Sequence, residues 1–85
     1  MVMAYDKVVL EAMQRDFAQY VGMQVKLRRT EMRLTQREGS ELTGITEAQL
    51  SQLERGLADV RLSTLARLRS ALALDIEIKG LGRAN

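Results

Sequence analysis

The stretch LTQREGSELTGITEAQLSQLERG, residues 34–56, limits what this chain can fold into more than any other part of it. Thr35 is a good helix N-cap, and Glu38 follows three residues later. In that Thr-x-x-Glu spacing the hydroxyl and the carboxylate each satisfy a backbone N–H of the first turn. The spacing predicts a helix over 35–43 that stops at Gly44, a residue suited to the left-handed conformation that closes helices. Thr46 can cap a second helix over 46–54, with Leu50 and Leu53 on its inner face and Gly56 at its end. Two short helices joined by a tight turn are either a functional unit or a hairpin that helps fill a small core. Gly39 adds a question, because it stands mid-helix where a core side chain is expected.

Around this hairpin the pattern is nearly all helical. Asp6 can cap a first helix running to about residue 19, with Val9, Met13 and Phe17 at spacing four on one face. Another helix follows over about 21–32 with Val25 inward, and Gly22 either separates the two or is crossed. A last helix over about 62–72 carries Leu62, Leu65, Ala66, Leu68 and Leu72 at helical spacing, with Arg61 or Ser63 near its start. The tail then changes period. Leu74-Asp75-Ile76-Glu77-Ile78-Lys79 alternates apolar and polar residues, which predicts a strand. A lone strand on a helical domain has no partner in its own chain. Leu74, Ile76 and Ile78 are therefore candidate dimerisation residues, pairing with the same strand of a second copy about a two-fold axis; the alternative is an extended tail.

Proline is absent and no low-complexity segment interrupts the chain, so residues 1–85 read as one domain. Its parts are a helical extension (1–20), a core (21–72) and a dimerisation strand (74–79). The expected class is all-α: a compact bundle of about five helices, one of them an extra N-terminal helix, with a short C-terminal β-strand.

Eighty-five residues lie near the lower end of what buries a self-sufficient core. Cysteine and histidine are both absent. That removes disulfides, the usual zinc and iron–sulfur ligands, and the Cys–His and Ser–His nucleophile pairs. No metal or cofactor is expected, and with carboxylates scattered along solvent faces no enzymatic constellation is visible. Oligomerisation is the remaining source of stability, so a homodimer is the default expectation. The missing cysteine fits a reducing cytoplasm, and no apolar run approaches the length of a membrane span. The net charge of +2 is unevenly spread. Lys26, Arg28, Arg29, Arg33 and Arg37 precede an acidic centre of Glu38, Glu41, Glu47 and Glu54; Arg55, Arg61, Arg67 and Arg69 follow it. Such blocks are either solvated helix faces or two basic flanks for an anionic partner.

Two helices joined by a short glycine-containing turn form the helix-turn-helix pattern, a weak signal alone. The register adds to it. Gly22, Val25, Lys26 and Arg29 lead into Leu34-Thr35-Gln36; Glu38, Gly44-Ile45-Thr46, Leu50-Ser51 and Leu53-Glu54-Arg55-Gly56 follow, with Leu65 and Ala71-Leu72 closing the series. At these spacings residues 21–72 resemble the XRE family, the DNA-binding fold of lambda-type phage repressors and Cro proteins. The resemblance implies that helix 35–43 crosses the DNA backbone and helix 46–54 enters the major groove. The base-reading positions then fall on Thr46, Glu47, Ala48, Gln49, Ser51 and Gln52. Glutamine can pair with adenine, Ala48 can touch a thymine methyl and Glu47 can accept from a cytosine amino group. Arg33, Thr35, Gln36, Arg37, Arg55 and Arg61 are the candidate backbone contacts. Arg29 and Glu54 match a structural pair that orients the reading helix.

The chain departs from the family pattern in two places. The reading helix holds no Lys or Arg and has Glu47 near its start, so affinity has to come from the basic flanks and from dimerisation. Gly39-Ser40 replaces a bulky aliphatic residue and an alanine, and the expected filler of the space at Gly39 is Met13, Phe17 or Met23. The function implied is a homodimeric repressor of an inverted-repeat operator. The small domain with a C-terminal strand is also similar to HipB-type antitoxins, which implies a cognate toxin as an alternative partner. A third alternative is a protein-interaction module that has lost DNA binding.

Overall fold

The computed structural model describes residues 7–74, and among them the chain forms four α-helices and no strand. α1 spans Lys7–Glu31, α2 Gln36–Thr43, α3 Glu47–Glu54 and α4 Leu62–Leu72. The two helices expected before residue 33 are thus one, and the count is four rather than about five. α1 crosses Gly22 without a break. A glycine in a helix interior costs about 1 kcal/mol relative to alanine, and the reason for it here is contact with α3. A Cβ on Gly22 would lie 2.2 Å from the Leu53 carbonyl oxygen and 3.1 Å from that of Glu54. The bare backbone of α1 therefore seats directly on the C-terminal turn of α3.

α2 and α3 begin as the hydroxyl spacing dictates. Thr35 Oγ1 accepts the Glu38 N–H at 3.0 Å while Glu38 Oε1 accepts the Thr35 N–H at 2.9 Å. Thr46 and Gln49 repeat the arrangement at the head of α3, at 3.1 and 3.3 Å. Gly44 closes α2 at φ 78° and donates to the Ser40 carbonyl at 2.9 Å. Ser40 and Thr43 fasten the turn from inside: the Ser40 hydroxyl donates to the Ile45 carbonyl, and Thr43 Oγ1 accepts the Ile45 N–H at 3.2 Å.

The core lies between α1, α3 and α4. Val21 and Val25 come from α1, Ile45 from the turn, Leu50 and Leu53 from α3, and Leu68 and Leu72 from α4. Leu74 joins the same cluster. That changes its expected role, since its side chain is buried in its own domain and not presented to a second copy. Ile76, Ile78 and the rest of the expected strand lie outside the described residues. Just before Leu74, Arg28 Nε donates to the Leu72 carbonyl at 2.8 Å and Ala73 turns left-handed, which ends α4.

The space at Gly39 is filled by other side chains than those expected. Gly39 is buried, but Met13 and Met23 are exposed. A Cβ on Gly39 would meet Arg29 Cδ and Leu50 Cδ2, each at 3.1 Å. The methylene stem of an arginine occupies the volume of the missing aliphatic residue. Long cationic side chains commonly bury their stems this way while the charged end finds a polar partner.

Candidate nucleic-acid interface

What Arg29 finds is Glu54. Nε and Nη2 of Arg29 donate to the two carboxylate oxygens of Glu54 at 2.6 and 2.8 Å, a bidentate fork. Nη1 donates to the Leu34 carbonyl at 2.7 Å, just ahead of α2. One guanidinium thereby ties the end of α1 to the entry of α2 and to the last turn of α3. Both partners are withdrawn from water, the Glu54 side chain being 2% exposed and that of Arg29 11%. The hydrogen bond to Glu54 outweighs desolvation and holds the Arg29 pKa above its usual value, so the guanidinium stays charged. Gln36 Nε2 donates to Glu54 Oε1 at 3.1 Å. The expected backbone-contacting glutamine is thus half-buried and oriented by the same carboxylate.

With its inner face held by Leu50, Leu53 and Glu54, α3 presents its opposite side to solvent. Glu47, Ala48, Gln49 and Gln52 are exposed, and Ser51 is half-buried at the edge of that face. Thr46 is exposed, and its hydroxyl and the Gln49 side-chain oxygen Oε1 form the cap, in which the Gln49 side-chain nitrogen takes no part. Thr35 likewise serves its own helix at the head of α2.

The candidate phosphate-contacting arginines lie on the segments before and after α3 and are exposed. Arg33 is exposed at the end of α1 in a left-handed conformation, φ 60°. Arg37 is exposed on α2, in a 3.8 Å pair with equally exposed Glu41, and such a solvated pair does little to hold the side chain. Arg55 follows α3 and Arg61 precedes α4, both exposed; Arg61 makes no side-chain cap. A shallow cleft beside α3 is lined by Gln49, Gln52, Arg61, Ser63, Thr64 and Arg67, among others.

Arg67 belongs to this surface and was not among the expected site residues. Its Nη1 donates to the Gly44 carbonyl at 3.1 Å, which bonds α4 to the turn between α2 and α3. Nothing in the sequence separates it from Arg69, two residues on; only the docking of α4 against the turn does so.

An outward, polar helix following a tight turn from a preceding helix is the geometry of a helix-turn-helix unit. A family model described as helix-turn-helix matches residues 25–79, well over half the chain. The chain belongs to this family, the XRE-type helix-turn-helix DNA-binding transcription regulators. Among curated proteins, none matches the chain closely. Among the described residues no helix is long and apolar enough to cross a membrane.

Proposed function

We propose that this regulator is a homodimeric repressor that reads an inverted-repeat operator through α3, with half-sites about 34 Å, one helical turn, apart. The division of α3 carries the reading: its inward side is locked by the Arg29–Glu54 fork while Ala48, Gln49 and Gln52 face solvent on the other side. Side-chain amides there supply the donor–acceptor pair that adenine presents in the major groove, and Ala48 suits a thymine methyl. Thr46, Glu47 and Ser51 complete the base-reading set. Arg33, Arg37, Arg55 and Arg61, with Gln36, set register on the phosphates without reading sequence. Since α3 contributes no cation, binding draws its electrostatic part from these flanks and falls steeply with salt.

Gel shifts of the full chain on duplexes from upstream of its own gene test this. The expected result is a discrete shift at low salt that weakens as salt rises, with footprints on two half-sites one turn apart. Absence of any shift at low salt, with a stable protein partner recovered instead, would replace the repressor with an interaction module.

A further inference from the structure

The first half of α1 stands outside the core. Buried residues on this helix begin at Ala18, and the family match begins only at residue 25. The turns before Ala18 precede both the buried part of the helix and the matched residues, and their pattern is regular. Leu10, Met13, Phe17, Tyr20, Gln24 and Leu27 follow one another at steps of three, four, three, four and three. That alternation is a heptad seam over three repeats, with a single polar residue, Gln24, in it. Leu10, Met13 and Leu27, with Met23 beside them, are 45–55% exposed. Phe17 and Tyr20 are half-buried, packed against the domain's own core along one edge. In this register the positions flanking the seam at its free end are Lys7 and Gln14 on one side and Val9 and Asp16 on the other, one cation and one anion, so two such helices meet without net repulsion.

We propose that this seam of α1 pairs with the same seam of a second copy and forms the dimer contact. The proposal rests on the homodimer reading above and moves its interface from the C-terminal tail to α1. A seam keeping strict 3–4 spacing is complementary to another helix of the same spacing, and a two-fold axis brings identical faces together. Its size sets its strength. Eighteen residues of helix are about 27 Å long and about 10 Å across. The footprint is therefore roughly 270 Å² in projection, and as accessible surface it stays below the about 800 Å² per partner of a standard stable interface. The dimer is accordingly weak and concentration-dependent, and it tightens when two half-sites hold two copies on one duplex.

Sedimentation equilibrium of the full chain over a range of concentrations tests this, comparing wild type with Met13→Glu and with Ile76→Asp/Ile78→Asp. The expected result is a micromolar monomer–dimer equilibrium that Met13→Glu weakens at least tenfold and the tail variant leaves in place. Circular dichroism should show Met13→Glu still folded, because its side chain lies at the surface. As a second readout, Leu10→Glu should weaken dimerisation like Met13→Glu and lower affinity for a two-half-site duplex far more than for a single half-site. Dimers that survive Met13→Glu and Leu10→Glu but not the tail variant would return the interface to the C-terminal segment. A wild-type chain that is monomeric at all concentrations yet binds DNA would overturn the seam and the homodimer while leaving DNA recognition standing. A dimer that is intact while no duplex binds would leave the seam standing and overturn the repressor reading.

Discussion

Arg29 serves packing and electrostatics at once: its stem fills the space beside Gly39, and its guanidinium holds Glu54 and the Leu34 carbonyl. Breaking a buried pair by removing one partner leaves an uncompensated charge, a loss of about 3–5 kcal/mol. Arg29→Ala should therefore lower stability by at least about 3 kcal/mol, read by chemical denaturation. Because Glu54 holds the Arg29 pKa above its unfolded value, the cation's contribution is fully present below that unfolded value. It fades only as pH climbs through the raised folded value, so it stays constant through neutral and mildly alkaline pH. Gly39→Leu is predicted to lower the melting temperature. The leucine gains helix propensity, but its branches would have to displace an arginine stem held at its far end by three hydrogen bonds. A rise in melting temperature would show that the arginine can move aside at little cost.

The helices themselves show what could be seen in the chain and what could not. The capping box at Thr35, the stop at Gly44 and the start at Thr46 are local effects, each decided within four residues, and the sequence spacing locates them. Gly22 could not be assigned in that way. Whether it breaks a helix depends on what lies opposite, and that is the backbone of α3, some thirty residues later in the chain. The same limit applies to Gly39 and Arg67, whose neighbours become adjacent only when α1 and α4 dock. Gly22→Ala is the test at this scale. The new methyl would sit 2.2 Å from a backbone oxygen that cannot rotate away, so overpacking of about 1–3 kcal/mol or more outweighs the gain of about 1 kcal/mol in propensity. The variant should be less stable than wild type, and a shift of α3 should weaken DNA binding with it.

At the scale of the molecule, the domain holds one exposed helix in place, with positive charge on the segments before and after that helix and none on it. Glu47 is exposed at the head of α3, where a carboxylate favours the helix dipole but repels phosphate. Glu47→Gln should therefore raise affinity for non-specific DNA and narrow the margin by which the operator is preferred, as measured by anisotropy titrations on both duplexes. The account's central claim is that the outward side of α3 reads bases. Its most direct test is selection of bound duplexes from a randomised pool by wild type and by Gln52→Ala, both as full-length chains. The prediction is that wild type enriches an inverted repeat, and that Gln52→Ala relaxes preference at one symmetric position, a loss of about 1–3 kcal/mol of discrimination there, with the rest of the site unchanged. Identical enrichment by both proteins, or none by wild type, would contradict it.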